Sequence, residues 1–211
     1  MTAGARSRRA AASLVLAVLC ALGPPAVRAA GAAGPKHFLI DPARSTLTFV
    51  VSRPGETIEG NAPGFTGEVS LDPDRPDERA SVLLTVRADS LLTGNRIRDR
   101  KMRNAHLEAV AYPEIVFRST AIRVGAGGAG AGLRPGETRP ALIEGILSLH
   151  GVDRSLQFPA TIRYDIGSFT AEGEAGIRLT DHSIPIPRFL WIVLDDEVKV
   201  RFRFVAGPSA G

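Results

Sequence analysis

Four histidines, His37, His106, His150 and His182, are the only side chains in this sequence with an ordinary pKa near neutrality. No two of them share the short helical or strand spacing typical of a metal site, and no HExxH pair occurs. A metal site would have to be assembled from distant residues, and a surface or turn position is the simpler reading for each. Serine catalysis fares no better. No serine sits in a GxSxG elbow, and a chain made mostly of strands supplies few helix N-termini for an oxyanion hole. We therefore expect no catalytic residue and no metal. The densest chemistry lies in "RIRDRKMRNAHLEAVAYPEIVF", residues 96–117, which gathers eight charged side chains, His106, Tyr112 and Phe117. Whether it is an active site or a cap depends on the elements around it.

Those elements follow a leader-like start. Arg6, Arg8 and Arg9 precede an uncharged run over residues 10–27, and small residues follow in "VRAAG". A basic head, a short apolar core and a small-residue cut site predict a signal peptide over residues 1–29, with cleavage near Ala29 and a single domain over residues 30–211. Gly23, Pro24 and Pro25 break the apolar core before the ~20 residues of a membrane span. No aromatic follows Ser7-Arg8-Arg9 as a twin-arginine signal would want, and Leu19 before Cys20 is too large for lipidation. Cleavage would remove four of the 26 basic residues (Arg6, Arg8, Arg9, Arg28) and no acid, leaving 22 basic residues against 22 acidic ones. The long-range charge that nucleic-acid binding needs is then missing. The only cysteine, Cys20, would leave too, and with it disulfide, thiolate and zinc–thiolate chemistry. The leader predicts export to an oxidising compartment.

From Lys36 the dominant period is two. "STLTFVVS" places Leu47, Phe49 and Val51 on one face, "SVLLTVRAD" does so for Val82, Leu84 and Val86, and "EIVFRSTAI" for Ile115, Phe117, Ser119 and Ala121. In "EVKVRFRFV", Val198, Val200, Phe202 and Phe204 alternate with Lys199, Arg201 and Arg203. "HFLID", "GFTGEVSLD", "ALIEGILSL", "RSLQFPATIRYD" and "FTAEGEAGIRLT" fit the same scheme, with turn residues between them. Half-buried strands joined by short loops predict an antiparallel sheet that closes on itself, and an up-and-down barrel is preferred because one apolar face persists throughout. Residues 95–110 break the period. They are helix formers without Gly or Pro, with Pro113 as a stop, and Ile97, Met102, His106 and Val110 share a stripe that would lie against the barrel. The Gly-rich segment 125–140 lacks the Lys-Ser/Thr of a phosphate cradle and reads as a mobile hairpin loop.

A closed sheet of about eight strands either fills its interior or encloses an elongated apolar ligand. Small residues at inward positions (Ser119, Ala121, Gly145, Gly173, Ala175) and the scarcity of large aromatics favour a cavity.

The motifs "IDPARSTLTFVV", Gly67 in its strand, "TGNRIRD", "YPEIVFRSTAI", "EGILSLHGVDRSLQFPA" and "DEVKVRFRF" occur in this order across about residues 36–206. On these the chain resembles the YceI-like, polyisoprenoid-binding family of exported bacterial proteins. The resemblance implies an eight-stranded antiparallel lipocalin-like barrel with one flanking α-helix and an elongated pore. It also implies non-catalytic binding or transport of an isoprenoid or another long-chain amphiphile, in the periplasm or as a secreted protein, with an isoprenoid quinone or polyprenyl phosphate as ligand and no further cofactor. The chain departs from the family pattern after "RD", where Arg100, Lys101 and Met102 precede His106 and Leu107, and in "DHSIPIPRFLWIV", which carries added prolines. Both departures fall where the barrel mouth is expected.

By inward phase, Phe49, Leu84, Phe117, Leu147, Phe158 and Phe202 are expected to touch the tail. Arg98, Lys101 and Arg103 are candidates for the head group, although basic residues on a helix are commonly just solvated. Transient membrane contact is compatible with such a carrier. Two alternatives stay open: a filled barrel acting in stress response or through a protein partner, and an enzyme modifying a lipid inside the barrel.

Overall fold

The computed structural model describes residues 35–125, 132–189 and 192–208. The expected leader lies outside these residues, as does the centre of the Gly-rich segment. The chain from Gly34 onward is one compact unit.

The period of two becomes a closed antiparallel barrel. Strands β5 (Ser81–Arg87), β6 (Glu114–Val124), β7 (Thr138–Leu149), β8 (Val152–Asp165) and β9 (Ser168–Arg178) pair in sequence order, and β9 pairs with the last strand, β12 (Glu197–Pro208). The ring closes through two interrupted strands. β1 (Lys36–Ile40) and β2 (Thr46–Arg53) both run antiparallel to β12, β1 along residues 206–208 and β2 along residues 198–203. They are one barrel position broken by the 3-10 turn Pro42–Arg44, where Pro42 has no amide hydrogen and the Asp41 side chain accepts from Ala43 N at 2.9 Å. β3 (Glu56–Asn61) pairs with β2 and β4 (Phe65–Leu71) with β1, so they share the next position, and β4 hands on to β5. The barrel therefore has eight strand positions. A two-stranded hairpin, β10 (Arg188–Phe189) with β11 (Ile192–Val193), stands apart from it.

Three local readings are corrected. A bulge shifts the register of β6 between Ser119 and Ala121, so the inward series runs through Ile115 and Phe117 to Ile122 and Val124, and Ala121 does not continue it. The Ser119 hydroxyl accepts from Val82 N at 2.8 Å across the irregularity. The helix is shorter than residues 95–110. α1 (Arg96–Lys101) opens into a π-helical turn, Met102–His106, and Val110 is 98% exposed, so it packs against nothing. Finally, the described part of the 125–140 segment is packed. Leu133 is buried in the core with its N–H donating to Pro73 O, and the buried Arg139 donates to Gly132 O and Glu137.

That packing closes one end of the barrel. Pro76 from the β4–β5 loop is fully buried, Val124 N donates to Asp77 at 2.7 Å, and Phe38 meets Phe169 edge to face at 4.7 Å. At the other end stand α1, the β2–β3 hairpin, the β7–β8 turn and the described part of residues 179–196.

Candidate lipid cavity and its rim

A cavity of about 790 Å³ occupies the barrel, within the range that holds extended organic ligands. Its walls are the inward residues of the strands. In β12 the inward Val198, Val200 and Phe202 are only half-buried while Lys199, Arg201 and Arg203 are exposed, because the inward side faces open space rather than a filled core.

All six tail candidates, Phe49, Leu84, Phe117, Leu147, Phe158 and Phe202, line this cavity. Phe158 holds two of the others, with ring centroids 5.5 Å from Phe117 and 5.7 Å from Phe202. The small inward residues act differently from the expectation. Gly60, Gly145 and Gly173 are covered by the rings of Phe49, Phe117 and Phe202, so near that a methyl group on Gly60 would come within 2.2 Å of the Phe49 ring. Each ring lies along the wall over a residue without a side chain, and the lumen stays open beside it. Ala171 and Ala175 line the cavity directly.

Among the described residues, charge is confined to one end of this lining. Arg53, Glu56, Arg98, Lys101, His106 and Arg188 are its charged or titratable members, and all come from the β2–β3 hairpin, the α1 segment and residues 179–196. The helix is set in place from its N-terminus. Asn95 caps it, Oδ1 accepting from Ile97 N at 3.0 Å and Arg98 N at 3.1 Å. Asp99, only 4% exposed, accepts from Thr93 N at 2.8 Å and from Thr93 Oγ1 at 2.5 Å. Arg98 reaches the same residue, Nε donating to Thr93 Oγ1 at 2.7 Å and Nη2 to Thr93 O at 3.0 Å. Lys101 Nζ donates to Arg188 O at 3.3 Å, linking α1 to the β10–β11 hairpin.

Of the head-group candidates, Arg98 and Lys101 line the rim, and Arg103 does not. Its guanidinium turns away to Asp99 O and, at 2.9 Å, Asp89 O. Asp99 and Thr93 position the rim, and sequence reasoning missed both. The signal was present as an Asn cap inside "TGNRIRD", with Thr and Asp placed to face each other across one turn. Arg53, Glu56 and Arg188 were missed as well.

The histidines scatter. His37 is exposed at the closed end. His182 is buried, its Nδ1 3.0 Å from Val152 O, and His150 packs on Tyr112 with centroids 4.5 Å apart and Nδ1 3.2 Å from His182 O. Those two stitch the β7–β8 turn to residues 179–184. Only His106 lines the cavity. Burial, reinforced by the Lys101 charge, holds its pKa below the ordinary value, while a contact with the Pro185 backbone opposes the shift. Its Nδ1 is buried without a hydrogen-bond partner among the described residues. No candidate metal cluster of three or more His, Cys, Asp or Glu occurs among the described residues.

The family model described as YceI-like domain matches residues 38–206. The chain belongs to the YceI-like family. Among solved structures it is similar to BcnA of Burkholderia cenocepacia, at 21% identity and a TM-score of 0.68, covering 79% of this chain and 98% of that one. It is also similar to a polyisoprenoid binding domain from Saccharophagus degradans implicated in plant cell wall breakdown, at 19% identity and a TM-score of 0.67, covering 82% and 98%. A Campylobacter jejuni YceI protein follows at 15% identity and a TM-score of 0.58, covering 73% and 86%. At these identities the likeness concerns the fold. No curated protein sequence matches the chain.

Proposed function

We propose that this YceI-like protein binds one long-chain amphiphile, an isoprenoid by preference, with the tail in the lumen and the polar head at the rim. The observation that carries the reading is the division of the lining: apolar in the depth, with charge only at the end built from α1, the β2–β3 hairpin and residues 179–196. Each CH₂ withdrawn from water is worth about 0.8 kcal/mol, so a tail of some ten carbons gains on the order of 8 kcal/mol before the losses of association. The polyisoprenoid-binding domain of similar fold favours the prenyl class, and an isoprenoid quinone or polyprenyl phosphate suits both parts of the site.

The reading is non-catalytic carriage. His106 is the single histidine in the lining, and no hydrogen bond joins it to a hydroxyl or carboxylate among the described residues. Phe49, Leu84, Phe117, Leu147, Phe158 and Phe202 serve as tail contacts, with Arg98 and Lys101 at the head. The leader-like N-terminus supports export, where a shuttle through the aqueous periplasm is useful to a molecule insoluble in it.

Native mass spectrometry of gently purified protein tests this. A co-purified lipid, together with stoichiometric uptake of a prenyl quinone, is the expected result. Absence of both would leave the barrel without a ligand and overturn the proposal.

A further inference from the structure

A lumen lined as described has to be loaded, and its open end carries features that the interior does not use. Ile97 lines the rim yet is 73% exposed, and Val193 on the adjoining hairpin is 41% exposed. Around them, beside the paired Arg53 and Glu56, stand cations with no acid bound to them among the described residues. Among the described residues Arg96, Arg100 and Arg188 are exposed without a carboxylate partner, and the Lys101 ammonium is held by a backbone carbonyl alone. Five basic residues lie between positions 96 and 103 against one acid, Asp99, whose carboxylate is buried on Thr93.

The flank of the barrel is organised in the opposite way. There Arg123 pairs with Glu144, Arg163 with Asp165, Arg201 with Glu174 and Arg203 with Glu172. Most outward arginines of the strands thus meet an acid, Arg118 and Arg154 being exceptions among the described residues, whereas those of α1 and Arg188 meet none and stand beside exposed aliphatic side chains. Unpaired cations next to a few insertable apolar groups complement an anionic lipid surface, where headgroup charge meets the cations and the acyl boundary receives the side chains.

We propose that the rim formed by α1 and the β10–β11 hairpin docks the protein, mouth first, on an anionic lipid bilayer. In that orientation the apolar lumen opens toward the acyl layer, and a tail passes between the two without crossing water. The inference gives the lipid-binding reading its loading route and rests on it for that purpose alone, since docking and tail binding are measured separately.

The test is co-sedimentation of the full chain with vesicles rich in phosphatidylglycerol and with vesicles of phosphatidylcholine alone, at low and raised salt. Binding to the anionic vesicles that falls with salt is expected. Each cation near such a surface is worth about fivefold in affinity, so Arg96→Glu/Arg100→Glu should lose at least about twenty-five-fold, and Ile97→Asp should weaken binding as well. Ile166→Asp, at the closed end where Ile166 is 86% exposed, should bind as the parent does. Uptake of a prenyl quinone in solution, without vesicles, should be unchanged in Arg96→Glu/Arg100→Glu. Equal binding to both vesicle types, indifference to the charge reversal, an equal loss in Ile166→Asp, or no vesicle binding at all would each overturn the docking proposal. A failure of quinone uptake in the parent protein would instead count against the lipid reading.

Discussion

The two ends of the barrel are built from the same kinds of residue and use them oppositely. At the closed end the described buried polar side chains have partners. Asp72 accepts from Asp74 N and pairs with Arg75, Asp77 receives Val124 N, and Arg139 is held by Glu137 and Gly132 O. Leu133 and Pro76 complete the seal with apolar volume. At the open end Ile97 is left to solvent, the cations of α1 lack acids, and His106 Nδ1 is unpartnered. Native interiors satisfy buried polar groups because each orphan costs about 1–3 kcal/mol, so the closed end is organised for stability. The open end forgoes part of that stability and keeps a surface available for contact.

The sharpest way to separate the two ends is to damage each. Leu133→Ala removes a buried side chain from the seal and should cost about 2–5 kcal/mol of global stability, read as a lower urea midpoint. Quinone affinity per folded molecule should hardly change, because Leu133 is not part of the cavity lining. A large loss of affinity there would mean that the seal shapes the lumen. Asp99→Ala acts at the other end. It orphans Thr93 N and frees the hydroxyl that Arg98 also uses, at a cost of roughly 1–3 kcal/mol. Hydrogen exchange should accelerate over residues 93–107 while β7 and β8 keep their protection, and the off-rate of a bound prenyl lipid should rise. Uniform loss of protection across the barrel would show that α1 is part of the cooperative core and not a cap upon it.

The same contrast explains what was legible in the sequence. The barrel was readable because alternation survives burial on one face. "EVKVRFRFV" places Phe202 inward whatever its neighbours do, and all six tail candidates by that phase line the cavity. β3 escaped because its inward residues are Ile58 and Gly60, and a glycine beneath the Phe49 ring leaves no apolar mark. The bulge in β6 escaped because Ala121 and Ile122 are both apolar, so neither register is disfavoured by composition. At the rim, Arg98, Lys101 and Arg103 are equivalent as a string of basic residues. They are told apart by partners distant in sequence or backbone, Thr93, Arg188 O and Asp89 O. Helix propensity predicted residues 95–110 as one helix, but the chain leaves that path at the π-helical turn and reverses at Glu108, whose φ is 46°.

The glycine–aromatic wall invites a finer perturbation. In Gly60→Ala the atoms nearest the new methyl all belong to the far end of the Phe49 side chain, so the ring must swing from the wall into the lumen. A loss of about tenfold in prenyl affinity, equivalent to about 1.4 kcal/mol, is expected with the fold intact. Gly60→Ala/Phe49→Leu should recover most of it, since the shorter side chain leaves room for the methyl. If the double variant binds no better than Gly60→Ala, displacement of the ring is not the cause.

His106 offers the smallest and most specific effect. Its folded pKa lies below 6.5 because burial, and then Lys101, disfavour the imidazolium. Above 6.5 the ring is neutral in both the folded and the unfolded chain, and the fold carries no penalty. As the pH falls from 6.5 toward the folded pKa, the unfolded chain takes up the proton first, so unfolding becomes progressively easier until the folded ring titrates as well. Unfolding free energies measured from about pH 7.5 down to about pH 5 should therefore decline in the parent protein. They should decline less in His106→Gln, which cannot charge. Equal slopes in the two proteins would mean that the ring titrates alike folded and unfolded. A shallower slope in the variant would identify the one lumen-facing histidine as the point where acid loosens the open end, beside a lysine that opposes the charge.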